Sequence, residues 1–454
     1  MNVHFIAIGG SVMHNLAIAL SLKGYTVTGS DDEVFEPASG SLKKYGLLPP
    51  AMGWYPEKIT KDLDAIVLGM HAKPDNPELL KAQSAGIKIY SFPEFLFEQS
   101  KQKKRVVIGG SHGKTTITAM ILHILKKRGV DFDYMVGARL QGFDIMVRLS
   151  ETADVMIFEG DEYPDAAINK TPKFHLYQPD IALISGIAWD HINVFPTYEQ
   201  YVAQFKKFVE IIPESGLLIY NCEDAEVMNI ATTVNPELLK IPYHTPAYRI
   251  EAGITYLNFA GSEIPLKIFG RHNLQNLMGA LEVCKSLGIS ESDCLEAVKD
   301  FAGAARRLEL LEQSSTSAVF KDFAHSPSKL KATIAAAKEQ FPERKLVACM
   351  ELHTYSSLNK NFLGEYKNSL KDAVVKIIYY DAHTFEIKKL EPLNPSFILE
   401  AFGDKSILLF TESRALHDFL KQQEWKNTNL LLMSSGNFGG LDLKELTTFV
   451  MEHS

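Results

Sequence analysis

The sequence predicts an α/β protein built on parallel sheets and divided into about three domains. Three observations carry that reading. The chain has 454 residues, and domains run to roughly 150 residues each. Apolar stretches suited to buried strands alternate with amphipathic helical stretches along most of its length. A glycine-rich loop, Gly109-Gly110-Ser111-His112-Gly113-Lys114-Thr115-Thr116, stands between one such strand and one such helix.

In order, residues 3–8 read as a buried strand and 15–23 as the helix after it. Further strands are expected at 25–28 and 65–68, followed by a polar linker at 99–104. A second unit opens with a strand at 105–108, the loop, and a helix at 114–128. It continues through strands at 154–159 and 181–187, a helix at 198–212 and a strand at 216–220. Between 240 and 270 the pattern is short and alternating, as in an antiparallel patch, before helices at 273–287 and 290–301. Strands at 318–321, 345–349, 375–380 and 430–433 make a third unit. Borders near 103 and 312 give domains 1–103, 104–312 and 313–454.

Composition narrows the function. Apolar residues are 46% and charged residues 22% of the chain, so several buried cores are expected. Lys plus Arg is 47 against 55 for Asp plus Glu, giving a net charge of -8. Without a basic stripe, nucleic acid is not an expected partner, and phosphate must be held by a local device. Cys222, Cys284, Cys294 and Cys349 form no metal-spaced pair and read as reduced thiols. No apolar run reaches the ~18 residues of a membrane span, so no membrane insertion is expected. The first apolar stretch has no preceding Lys or Arg and is broken by Gly9-Gly10, unlike a signal peptide. A cytoplasmic enzyme is expected.

The loop carries the strongest chemistry. Backbone N–H groups of Gly110, Ser111, His112 and Gly113 would wrap phosphate at a helix N-terminus. Lys114 would reach the β/γ-phosphates, and Thr115 would offer a hydroxyl to Mg²⁺. The strict spacing puts glycine at 108, where this chain has Ile108, so the loop is a shortened variant. Glu159, Asp161 and Glu162 follow a strand of the same unit, where ligands bind. Three carboxylates in four residues must be solvated or metal-bound. Trp189-Asp190-His191 lies at a similar strand end, and with Glu159 and the loop it suggests a second hard-metal site. Arg306-Arg307 is either a solvated edge or a phosphate clamp, and Asp322-Phe323-Ala324-His325 either a structural turn or part of a site. Near the start, Gly9-Gly10-Ser11-Val12-Met13 follows a strand but is not G-x-G-x-x-G. Asp31 and Asp32 end the next strand, where an acidic group often meets a ribose.

Taken together and in order, IAIGG, GSHGKTT, FEGDEY, DH, GRHNLQN, GAARRLE and DFAHSP resemble the Mur ligase family over essentially the whole chain. The resemblance implies a three-domain architecture: a Rossmann-like amino-terminal domain for a UDP-sugar, a central P-loop ATPase domain, and a Rossmann-like carboxyl-terminal domain. The last would close over both substrates and help bind an amine. It implies ATP and Mg²⁺ as cofactors and an amide formed through an acyl phosphate. Gly9, Gly10, Ser11, Val12, Met13, Asp31 and His71 would serve the UDP-sugar. Gly110 through Thr116, His272, Asn273, Asn276, Arg307 and Asp322 would serve ATP. Thr115, Glu159 and His191 would hold metal, with Lys114, Glu159, His191 and His325 in catalytic roles. Within the family, the details resemble the recycling branch, which joins UDP-N-acetylmuramate to L-alanyl-γ-D-glutamyl-meso-diaminopimelate. The branch that adds L-alanine is the alternative.

The chain departs from the family in places. Gly186, Ile187 and Ala188 stand where Asn-x-Glu is usual, Ser326 replaces a second histidine, and Lys321 an acidic residue. His353-Thr354-Tyr355-Ser356-Ser357 echoes the alanine-adding spacing without its arginines, and without the recycling branch's Pro-Arg. Gln204 stands where several members carry a carbamylated lysine, so none is expected. A P-loop kinase and a non-catalytic nucleotide-binding regulator are the rival readings.

Overall fold

A computed structural model describes residues 1–164, 171–259, 261–304 and 307–454. Their contacts divide them into two compact units.

The first unit holds two sheets. The smaller has four parallel strands in the order Thr26–Ser30, Asn2–Ile6, Ala65–Leu68 and Ile89–Ser91. The larger has seven, in the order Leu239–Tyr243, Leu217–Asn221, Ile181–Ile184, Lys104–Gly109, Val155–Glu159, Asp133–Met135 and Val147–Arg148. Only the last of these runs antiparallel to its neighbour. Val106, Val107 and Ile108 are fully buried, as a strand covered on both faces requires. Because the chain extends to one side of Lys104–Gly109 before returning to the other, that strand lies at a switch point, where a crevice opens at the carboxyl ends. The Asn2–Ile6 strand occupies the same place in the smaller sheet.

In the second unit, Tyr248–Glu251, Ile254–Phe259 and Ser262–Leu266 form an antiparallel sheet. A six-stranded sheet runs Glu309–Gln313, Ala318–Asp322, Thr428–Met433, Lys345–Glu351, Val375–Tyr379 and Leu408–Phe410, parallel except at its first edge. Its two faces are covered by separate apolar clusters, one around Phe320, Leu431 and Tyr366, the other around Leu432, Trp425 and Leu446.

The expected strands and helices are present, with shifted ends and several additions. The first helix starts at Ser11, four residues early, because Gly10 already accepts from the His14 amide. The strand expected to run to 187 stops at Ile184, since Ser185 and Gly186 turn to bind the glycine-rich loop. Helix Phe92–Ser100 and strand Lys104–Gly109 take both ends of the expected linker. The antiparallel patch is correct from Tyr248 onward, but Leu239–Tyr243 instead pairs parallel with Leu217–Asn221. Glu309–Gln313 extends the last sheet across position 312. Among the described residues, no helix is long and apolar enough to cross a membrane.

Leu431 alternates with Leu432 between the two faces and is fully buried. Leu431→Ala should therefore lower the denaturant stability of its unit by about 2–5 kcal/mol, and a change below 1 kcal/mol would mean that this face is not tightly packed.

Candidate nucleotide site

The glycine-rich loop is fixed by the strand beside it. Ser111 N–H donates to Gly186 O at 2.9 Å, and Ser185 N–H to Gly109 O at 3.0 Å. Ser185 Oγ also donates to His112 O. Asn221 Nδ2 holds Ser185 O at 2.9 Å, while Asp224 takes Ile187 N–H at 3.0 Å and caps the helix Ala225–Thr233. Gly110 has φ +135°, and a Cβ there would lie 2.1 Å from Ser185 Oγ. A Cβ at Gly186 would fall 2.4 Å from His112 Cε1, so a side chain there would displace the imidazole. The departure from the family's asparagine thus leaves room for the loop imidazole. Gly113 then opens the helix Lys114–Lys127, whose first amides face the loop.

Lys114 Nζ donates to Gly110 O at 2.6 Å and pairs with Glu162 at 2.8 Å. Burial opposes its charge, but Glu162, Asp161 and Glu159 outweigh that effect and hold the lysine above its ordinary value. Asp161 and Glu162 bring carboxylate oxygens within 4.8 Å of each other, and each of the three carboxylates has its own partners. Glu162 is engaged by Lys114, and Asp161 pairs with Lys173 at 2.7 Å. Glu159 instead accepts from Thr115 Oγ1 at 2.6 Å through Oε1 and from Gly137 N–H at 2.8 Å through Oε2. Asp161 and Glu162 thus each have a lysine partner, and both keep carboxylate oxygens close enough together to share a cation.

The same unit carries the amino-terminal crevice. Gly9 N–H donates to Asp31 Oδ2 at 2.6 Å, joining the two expected residues, and burial raises the Asp31 carboxyl. Gly10 precedes the helix Ser11–Leu22, so Ser11, Val12 and Met13 form its first turn. His71 is exposed, just beyond strand Ala65–Leu68. The amino-terminal motif runs on into His14, but sequence reasoning missed its buried neighbour Asn15, as well as Gly137, Asn221 and Asp224. Only Asp224 had a local signal, as an aspartate directly before a helix.

The remaining expected residues belong to the second unit. His272, Asn273 and Asn276 lie in the opening turns of helix Arg271–Ser286, where Asn273 Nδ2 donates to Phe269 O at 3.0 Å. Asp322 accepts from the Leu308 and Ala324 amides; burial raises its carboxyl while Arg307 opposes that rise. The Arg307 guanidinium also lies 4.7 Å from the Phe323 ring centroid. Arg306 is outside the described residues. Asp190, beside His191, faces Lys329 Nζ at 3.5 Å and His325 Nε2 at 4.0 Å. His325 Nδ1–H donates to Phe323 O at 2.8 Å, leaving its Nε2 lone pair available. Burial, then Lys329, pushes the imidazole down to about 3, so it is neutral.

A parallel sheet with a lysine-bearing glycine loop at its switch point defines a nucleotide-dependent α/β enzyme. Residues 2–104 match the catalytic domain of the Mur ligase family and residues 108–284 the Mur ligase middle domain. A UDP-N-acetylmuramate–L-alanine ligase of Sulfurihydrogenibium sp. is 32% identical over 79% of this chain and 78% of its own. Among solved structures, the UDP-N-acetylmuramate–alanine ligase of Thermotoga maritima superposes with TM-score 0.69 at 21% identity, covering 100% of this chain and 98% of that one. The murein peptide ligase of Psychrobacter arcticus gives TM-score 0.66 at 22% identity, covering 99% of each. The chain belongs to the Mur ligase family, with its three-domain α/β architecture, and is an ATP-dependent carbon–nitrogen ligase of the peptidoglycan pathway.

Buried histidines give this enzyme a pH signature. Burial is the leading cause holding His14, His175 and His325 below the ordinary histidine value. Their contribution to stability is complete above the unfolded value of about 6.5 and is lost as pH falls from there toward the folded values. The thermal midpoint at pH 5.5 should therefore lie below that at pH 7.5, with a smaller gap in His14→Gln. Equal midpoints at the two pH values would contradict the neutral assignments.

Proposed function

We propose that this ligase joins UDP-N-acetylmuramate to the amino group of L-alanyl-γ-D-glutamyl-meso-diaminopimelate. A carboxylate cannot acylate an amine at neutral pH, because oxide is too poor a leaving group. Attack of the carboxylate oxygen on the γ-phosphorus of ATP forms an acyl phosphate and releases ADP. Attack of the amine then forms the amide and expels phosphate. The observation that carries this reading is the partly buried Lys114, kept charged at a helix N-terminus. Bringing a carboxylate toward a triphosphate costs roughly 4 kcal/mol per like-charge pair at 4 Å and an effective dielectric near 20. Lys114 would offset that repulsion, the resemblance assigns Arg307 to the same task, and positioned charge is most of phosphoryl-transfer catalysis.

Mg²⁺ suits the residues present. Thr115 Oγ1 and Glu159 Oε1 are hard oxygen donors 2.6 Å apart, the chemistry this ion prefers; Thr115 is assigned to one ion, and Glu159 with His191 to a second. Bound there, Mg²⁺ would neutralise phosphate oxygens. Gly110, Ser111, His112, Gly113 and Thr116 are assigned to the phosphates, and His272, Asn273, Asn276 and Asp322 to the rest of ATP. Gly9 through Met13, Asp31 and His71 are assigned to the UDP-sugar. A neutral His325 with a free Nε2 lone pair is suited to accept a hydrogen bond from the incoming amine; so low a proton affinity disfavours removing a proton from an ammonium. Domain borders are placed near 103 and 312.

The tripeptide is preferred because Gly29-Ser30-Asp31, Val34-Phe35-Glu36-Pro37 and Met433-Ser434-Ser435-Gly436-Asn437-Phe438-Gly439-Gly440 resemble the recycling branch. L-Alanine is the second reading, supported by the name of the 32%-identical relative.

With ATP and UDP-N-acetylmuramate present, ADP release should be at least about tenfold more efficient with tripeptide than with L-alanine. The reverse ratio would select the second reading, and no release with either would overturn the assignment. Lys114→Ala should abolish turnover while UDP-sugar binding survives; undiminished turnover would remove the loop from the reaction.

A further inference from the structure

Residues of the first unit form a continuous hydrogen-bonded path between the crevice assigned to the UDP-sugar and the loop assigned to ATP. It begins at Gly10, whose carbonyl accepts from His14 Nδ1–H at 2.8 Å. With that proton on Nδ1, His14 Nε2 accepts, and Asn15 Nδ2 donates to it at 2.9 Å. The second Nδ2 hydrogen goes to Ser11 O at 2.8 Å, which fixes the amide's orientation and leaves Oδ1 as its acceptor. That oxygen takes the Met146 N–H at 2.9 Å. Met146 O in turn accepts from Val136 N–H at 2.9 Å, closing the loop between strands Asp133–Met135 and Val147–Arg148. The next residue, Gly137, donates its N–H to Glu159 at 2.8 Å, and Glu159 accepts from Thr115 at 2.6 Å.

The path is well enclosed. His14 and Asn15 are both buried, as is Met146. Breaking the Asn15–Met146 bond would leave a buried amide donor unsatisfied. A second strut spans the same gap, from Arg139 to Ser41 Oγ at 3.1 Å. Between the struts lies a cavity of about 300 Å³, lined in part by Asn15, Glu36, Ser41, Lys44 and Arg139. The 136–146 segment therefore touches the substrate-side helix at one end and the Glu159 carboxylate at the other.

We propose that Asn15 is a positioning residue that couples the two nucleotide sites, setting the 136–146 segment and through it Glu159 and Thr115. This rests on the assignment of those sites given above. A UDP-sugar ordering the Gly10–Asn15 turn would pre-order the ATP site, and by linkage ATP would tighten UDP-sugar binding by the same factor.

Calorimetry on the full chain tests the coupling directly. A non-hydrolysable ATP analogue with Mg²⁺ is titrated with and without saturating UDP-N-acetylmuramate. Wild type should show an affinity gain of about fivefold or more. Asn15→Leu, which removes both amide functions, should bind each nucleotide alone near wild-type affinity but lose the gain. Asn15→Asp keeps an acceptor for Met146 N–H and should recover most of it, a rescue that a merely structural role would not produce. Arg139→Ala checks the second strut and should weaken the gain without abolishing it. Retention of the full gain in Asn15→Leu overturns the proposal. If Asn15→Leu fails to fold, a flat response in Asn15→Asp overturns it instead. Failure of the wild type to bind the UDP-sugar at all would instead overturn the site assignment on which the proposal rests.

Discussion

The first unit depends on how the glycine-rich loop is seated against the end of strand Ile181–Ile184. Ser185 donates and Gly186 accepts the backbone bonds that fix the loop, and Gly110 has no room for a side chain there. Once the loop is set, the helix Lys114–Lys127 begins directly after it, and Lys114 falls beside Glu162. The same contact fixes Gly186 against His112. Sheet order, loop shape and charge placement are thus one constraint seen at three levels.

Electrostatics explains why so local a device is needed. The protein carries a net charge of -8 and belongs to a family whose reaction brings several anions together. A global field would repel them, so positive potential must come from oriented amides and a few chosen cations. Lys114 is held charged by its neighbours despite burial. Glu159 has a different job from the adjacent carboxylates: it gathers hydroxyl and amide donors around one hard-oxygen position.

Much of this was legible in the sequence, and the limits follow physical lines. Central strands such as 105–108 were readable because burial on both faces leaves a continuous apolar run. Ile89–Ser91, Asp133–Met135 and Leu408–Phe410 were not, since strands of three residues contain too little pattern. The loop and its lysine were visible because phosphate binding requires residues adjacent in sequence. Asn15 meeting Met146, or Ser185 meeting Gly109, is a contact between distant segments that no local pattern encodes. The lysine partners of Asp161 and Glu162 were hidden for the same reason, because they come from other elements.

The central chemical claim is activation of a carboxylate by phosphoryl transfer, and isotope tracing tests it most directly. UDP-N-acetylmuramate carrying ¹⁸O in both carboxylate oxygens would be ligated with unlabelled ATP, and the released phosphate examined by mass spectrometry. An acyl phosphate requires one labelled oxygen to leave with the phosphate and the other to remain in the amide. Ligation that releases phosphate free of label would contradict it.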